Sequence, residues 1–225
     1  MSGVRLLMDG AAGLLRLLGV RVIVHGREWL AGGDPVVVAA NHVSYVDFAA
    51  IQAARPVERP PLWFLARWDL LPPAVGAPVM RRFGLVPVDE RRRPGRSLPE
   101  ALARLADGHA VAVHPEGRVR PGPEPARGRS GAVRLAAAAG VPLIPCSVWG
   151  TQRLLTRGRR APDLRGGVDV HVRLGPPVDV SGPVASATRT LMARIGALTH
   201  ATLLATHRPP ADGSPTTTGE WHVAA

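Results

Sequence analysis

Short apolar runs alternate with amphipathic stretches along almost the whole chain. VRVIVHG at 20–26 alternates apolar and polar positions, the period of a half-buried strand. PVVVAAN at 35–41 is continuously apolar, as expected of a parallel strand covered on both faces. SYVDFAAIQAA at 44–54 predicts a helix, with Ser44 and Asp47 at capping-box spacing. The alternation continues with strands in LWFLAR (62–67) and LVPVD (85–89), then a helix in GRSLPEALARLADG that stops at Gly108. AVAVHPEG (110–117) predicts a strand running into a polar turn, and GAVRLAAAAG (131–140) a helix closed by Gly140. Two further strands, VPLIPCSVWG (141–150) and VDVHVRLG (168–175), precede a long helix beginning at Val184.

Strands alternating with helices predict an α/β fold with a mostly parallel or mixed central sheet flanked by helices. One domain is expected over residues 19–204. Ahead of it, residues 1–18 predict an amphipathic helix, interrupted by Arg5, Asp9 and Arg16 and therefore too short and too charged to span a membrane. Its leucines suit either core packing or a membrane interface. RVRPGPEPARGR (118–129) predicts a loop, and residues 205–225 a disordered tail.

Composition sharpens this picture in three ways. The chain is 46% hydrophobic and 20% charged, which excludes a disordered class. Its formal charge is +11, and with no lysine present all 28 basic residues are arginine. Such a balance points to an anionic partner, whether nucleic acid, an anionic bilayer or a phosphorylated substrate, and the planar guanidinium suits phosphate. Cys146 is the only cysteine, which rules out an intrachain disulfide and fits a reducing compartment.

Ligands of open α/β sheets sit beyond the carboxyl ends of the strands. Three chemically loaded segments fall there: NHVSYVD after the second strand, VDERRR after LVPVD, and HPEGRVR after AVAV. His42 lies in a strand-to-helix turn and Asp47 in the first turn of the helix, so the two can meet as a base and its orienting carboxylate. Asn41, the only asparagine, is placed to hold that turn by capping or by an Asx-type bond. Glu116 and Gly117 put a carboxylate at a tight turn on the same rim, able to hold an arginine, bind acceptor hydroxyls or close the turn. Arg118, Arg120 and Arg91–Arg93 supply guanidinium groups nearby.

These blocks resemble the glycerolipid acyltransferases of the bacterial 1-acylglycerol-3-phosphate (lysophosphatidic acid) acyltransferase type. NHVSYVD resembles that family's Asn-His-x4-Asp box, FGLVPVDE its Gly-x-x-Phe-Ile-Asp-Arg block, VHPEGRVR its Phe-Pro-Glu-Gly-Thr-Arg block, and VPLIPCSVWG its Val-Pro-Ile-Ile-Pro block. All four follow the family's order, and the likeness runs from about Val20 to about Val180. The resemblance implies a peripheral or monotopic enzyme at the cytoplasmic face of the membrane. It would move a fatty acyl group from acyl-CoA or an acyl carrier protein to the free hydroxyl of a lysophospholipid acceptor, most simply 1-acylglycerol-3-phosphate. It implies His42 as general base, Asp47 as its orienter, and Asp89, Arg91, Glu116, Gly117, Arg118 and Arg120 as acceptor-binding candidates. No cofactor beyond the thioester co-substrate and no metal is implied. The blocks also depart from the pattern: Glu90 stands where the family has Arg, with Arg91 one place later, Arg118 stands where the third block has Thr, and Val119 stands at that block's Arg position. A lyso-ornithine lipid or glycolipid acceptor is also consistent with that change.

Other classes fit less well. HPE at 114–116 with PCSVW at 145–149 imitates a zinc deaminase, but Trp149 replaces the second cysteine ligand. The arginines are spread along the chain without a nucleic-acid-binding signature, so no nucleic acid partner is expected. A non-catalytic anionic-lipid-binding relative is disfavoured by the presence of both His42 and Asp47. There is no Gly-x-Ser-x-Gly elbow, and Cys146, mid-strand in an apolar run, is expected in the core.

Overall fold

The computed structural model describes residues 10, 13–32, 35–56, 58–67, 76–88, 97–158 and 161–206. Seven strands, β1 (Val20–His25), β2 (Val37–Ala40), β3 (Trp63–Arg67), β4 (Leu85–Val88), β5 (Val111–Val113), β6 (Leu143–Trp149) and β7 (Val168–Leu174), form one sheet in the order β1-β7-β6-β2-β5-β3-β4. Among the described residues these α-helices accompany them: α1 (Asp47–Ala54), α2 (Gly76–Arg82), α3 (Ser97–Ala106), α4 (Gly131–Ala139) and α5 (Val184–Thr206). The sheet is mixed: β6, β2, β5, β3 and β4 run parallel, whereas β7 joins β6 antiparallel and β1 runs parallel to β7.

The continuous apolar character of the central strands has a direct cause, since each is covered on both faces. Val38 and Ala40 of β2 pack with Ala112, Ile144 and the α1 residues Ala50, Ile51 and Ala54. Their neighbours Val37 and Ala39 point the other way, against Leu105 of α3, Leu135 of α4 and Leu191 and Ile195 of α5. Successive strand residues face opposite sides, so α1 seals one face and α3, α4 and α5 the other. α4 stops at Gly140, whose φ of 64° closes the helix in the left-handed region. β1 is an outer strand and is only half-buried, which accounts for its alternating sequence.

This layout places the carboxyl ends of β2, β5 and β6 side by side, with β4 at the far edge beyond β3. Two of the three rim segments are therefore neighbours, and residues 89–96 of the third lie outside the described residues. Residues 13–17 are helical, while most of the predicted N-terminal helix also lies outside them. α5 continues through Thr206, two residues into the predicted tail, and positions 207–225 are likewise outside. No described helix is long and apolar enough to cross a membrane.

Candidate active site

β2 ends at Ala40, and the chain turns through residues 41–46 before α1 begins at Asp47. Asn41 is buried and bonds twice to one residue of β6: its amide donates to the Val148 carbonyl at 3.0 Å, and its side-chain oxygen accepts the Val148 N–H at 2.7 Å. The side chain thereby extends the β2–β6 ladder by one step beyond the strand. That bond, rather than a cap or an Asx turn, is how Asn41 fixes the turn.

Asp47 is fully buried, and four donors surround its carboxylate. Oδ2 accepts the Val43 and Ser44 N–H groups at 2.9 Å each and faces His42 Nδ1 at 2.9 Å, while Oδ1 accepts the Thr151 hydroxyl. Since Asp47 accepts throughout, the network assigns the hydrogen to His42 Nδ1 and leaves the lone pair on Nε2. The capping box predicted from Ser44 and Asp47 forms only in its carboxylate half. The Ser44 hydroxyl accepts the Val46 N–H at 3.2 Å and donates to the Leu155 carbonyl.

The HPEG turn after β5 is stitched to His42 on both sides of its backbone. Glu116 Oε1 accepts the His42 N–H at 3.0 Å and Oε2 the Ala126 N–H at 2.9 Å, while the Arg120 N–H donates to the His42 carbonyl at 2.7 Å. Burial pushes the Glu116 carboxyl above the usual carboxylate range, and the two N–H bonds act in the opposite sense. Of the three roles open to Glu116 from sequence, the geometry shows it closing the turn onto His42 and bracing the 118–129 loop. Gly117 sits at φ 67°, and its N–H closes the turn on the His114 carbonyl at 3.0 Å. Arg118 is exposed, Arg120 is partly buried, and Val119 is buried between them. Asp89 and Arg91 lie outside the described residues.

Sequence reasoning missed two participants. His114 stacks on His42 with ring centroids 4.0 Å apart and planes 11° from parallel. Its Nδ1 faces the carbonyls of Asn41 at 2.9 Å and Ala40 at 3.2 Å, so it is the donor, and burial first of all lowers its pKa to about 4. The second is Thr151, fully buried at the start of the segment after β6. The only available signals were a His where the resembled block has Phe and a Thr just past the Val-Pro-Ile-Ile-Pro-like block.

His42, Asp47 and His114 bring one candidate ligand atom each within 4.8 Å, the one such grouping among the described residues. They do not suit a metal. Asp47 is already filled by its four donors, and stacked imidazoles direct their lone pairs side by side rather than toward one point. Cys146 is buried in the core with its thiol pushed well up by burial, which leaves it inert as a nucleophile.

A buried carboxylate orienting a histidine, at the carboxyl rim of an α/β sheet, is an arrangement able to act as a general base. The chain belongs to the acyltransferase family, whose model matches residues 21–149. It is 32% identical over 162 residues, 69% of this chain and 47% of the relative, to a 1-acyl-sn-glycerol-3-phosphate acyltransferase of Chlamydomonas reinhardtii. Identity is 23% over 74% of this chain and 65% of the relative for a 1-acyl-sn-glycerol-3-phosphate acyltransferase of Borreliella burgdorferi. A lyso-ornithine lipid O-acyltransferase of Rhizobium meliloti is 32% identical over 47% of this chain and 35% of its own. The fold matches the crystal structure of the 1-acyl-sn-glycerophosphate acyltransferase PlsC of Thermotoga maritima with a TM-score of 0.70 and 25% identity, over 92% of this chain and 80% of that one. The chain thus spans roughly half to two thirds of the length of the first two relatives.

Proposed function

We propose that this protein transfers a fatty acyl group from an acyl thioester to the free hydroxyl of a lysophospholipid at a membrane surface, with 1-acylglycerol-3-phosphate as acceptor and phosphatidic acid as product. The observation that carries this reading is the His42 Nδ1–H bond to the buried, four-fold donated Asp47 carboxylate, which leaves Nε2 as a base on the open side. Nε2 takes the proton of the acceptor hydroxyl as its oxygen attacks the thioester carbonyl. The tetrahedral intermediate then expels the thiolate, which recovers a proton from the His42 imidazolium. Asp47 stabilises that imidazolium and keeps the tautomer fixed. No acyl-enzyme forms, in keeping with the buried Cys146. The co-substrate is acyl-CoA or an acyl carrier protein thioester, no further cofactor is needed, and the protein acts peripherally at the cytoplasmic face.

A second acceptor deserves a direct comparison, because Val119 is buried where the resembled block has Arg, and a lyso-ornithine lipid acyltransferase is among the relatives. Thiol release from palmitoyl-CoA should be followed with detergent-dispersed lysophosphatidic acid or lyso-ornithine lipid, for the wild type and His42→Ala. Release that requires lysophosphatidic acid and falls at least ~1,000-fold in a folded His42→Ala protein is the expected result. Release only with the ornithine lipid reassigns the acceptor, and full activity in His42→Ala overturns the mechanism.

A further inference from the structure

Eight side-chain nitrogens among the described residues are buried without a hydrogen-bond partner, and five of them belong to one cluster. They are Nη1 and Nη2 of Arg55, Nε1 of Trp63, Nε of Arg104 and Nδ1 of His109. The cluster forms where β3 and β5 begin, at the end of the sheet opposite His42. There the Trp63 N–H donates to the Ala110 carbonyl at 2.9 Å, and the His109 N–H to the Arg104 carbonyl at 3.0 Å. The Arg104 guanidinium lies over the Trp63 ring at 4.1 Å, and the centroids of the Trp63 and His109 rings are 5.9 Å apart. Arg55, just past α1, joins them through its Nε, which donates at 2.7 Å to the carbonyl of Pro60 in the segment leading into β3. Its charge is felt at His109: burial first of all lowers the His109 pKa, Asp107 raises it, and Arg104 and Arg55 lower it again.

The two arginines differ. Arg104 faces Asp107 at 3.6 Å and Glu100 at 3.9 Å. Arg55 is only 4% exposed and faces no carboxylate among the described residues, and burial, then the like charge of Arg59, lower its pKa. A guanidinium held away from water with no acceptor for two of its nitrogens is costly. Because Nε is taken by Pro60, the free donors are the end-on Nη1–Nη2 fork, whose spacing matches the two oxygens of a carboxylate. We infer that this cluster binds a small carboxylate, its oxygens on the Arg55 fork and Trp63, Arg104 and His109 as the surrounding donors. One negative charge matches that of Arg55. The five nitrogens are shielded, so the anion enters past Arg104 and His109, whose side chains are partly exposed. The site does not rest on the acyl transfer proposed above. α1 nevertheless connects the two places: Asp47 in its first turn holds His42, and Arg55 is its C-cap, so an occupied site braces that helix from its far end.

The test follows the thermal midpoint of the full chain at pH 7 by circular dichroism while sodium acetate replaces sodium chloride at constant ionic strength. A parallel series uses sodium phosphate. In the wild type, acetate should raise the midpoint saturably, by about 3 °C or more at ten times its dissociation constant. The rise should vanish in Arg55→Met. Trp63→Phe keeps a ring beneath Arg104 and removes only the indole N–H, so it should weaken acetate binding by about 5-fold. No rise over chloride in the wild type, or an equal rise in the wild type and Arg55→Met, overturns the inference. A larger rise with phosphate than with acetate, lost in Arg55→Met, overturns the choice of carboxylate. Should Arg55→Met fail to fold, Trp63→Phe decides, and acetate binding as tight as in the wild type then removes the site.

Discussion

His42 depends on what its neighbours do to its ring. Asp47 fixes one nitrogen and His114 holds the plane, so the imidazole has few ways to turn. His114 also brings a cost in acid. Folded, it is held to about 4, whereas an unfolded histidine titrates near 6.5. Between those values the unfolded chain binds a proton that the folded chain does not, so stability is fully present above pH 6.5 and falls as pH drops toward 4. The slope approaches ~1.4 kcal/mol per pH unit for this one group. His114→Phe preserves an aromatic plane over His42 but cannot take up the proton. Thermal midpoints of His114→Phe and wild type, followed from pH 7 to pH 4.5, should therefore shift relative to each other in favour of the Phe variant as pH falls. An offset that stays constant across the window would contradict the assignment. His42 and Asp47 were legible in the sequence because strand, turn and helix bring them together locally. His114 was not, because its contact with His42 spans two neighbouring strands and shows only once β2 and β5 are paired.

Among the elements, the segment from Thr151 to Thr156 acts as a clasp over the β2–α1 turn. Thr151 donates to Asp47, the Leu155 carbonyl accepts both the Tyr45 N–H and the Ser44 hydroxyl, and Thr156 donates to the Val43 carbonyl. It starts at Gly150, whose φ of 110° and close approach to the Asp169 carbonyl leave no room for a Cβ. Thr151→Val keeps the shape and removes one donor from a buried carboxylate. That change should cost about 1.5–3 kcal/mol in urea unfolding and lower kcat about 10-fold with little change in KM, while Thr151→Ser retains most of both. A kcat unchanged in Thr151→Val would show that the clasp only stabilises. None of this was visible in the sequence, since the Asn41–Val148 and Thr151–Asp47 bonds join residues 107 and 104 positions apart. The strands and long helices were legible, because two-sided burial writes continuous apolar runs and helices write their own period. α2 was not, its Gly76 and Pro78 imitating a loop although a proline is tolerated in a first helical turn. The reversal of β7 against β6 left no mark either, because both directions bury the same alternating face.

For the whole molecule, the charge of +11 and the sheet rim that carries His42 both bear on where the proposed reaction would take place. The acceptor proposed above carries a fatty chain that a bilayer would hold, so on that proposal the protein comes to the membrane, and arginine charge would attract an anionic surface over about one Debye length, ~8 Å at physiological salt. Leu14, Leu17 and Leu18 are exposed at 56%, 86% and 44% close to the start of β1, offering an apolar contribution that salt does not screen. The two contributions are separable. Co-sedimentation with phosphatidylglycerol-containing vesicles should weaken at least ~10-fold between 0.1 and 0.5 M salt, whereas neutral phosphatidylcholine vesicles should retain little protein at either. Leu17→Asp should weaken the part that survives high salt, because it puts a charge on the most exposed of these leucines. Binding that is insensitive to both salt and Leu17→Asp would place the membrane contact elsewhere on the molecule. Binding lost with salt but indifferent to Leu17→Asp would make arginine charge the whole attachment, and the exposed leucines would then be ordinary surface.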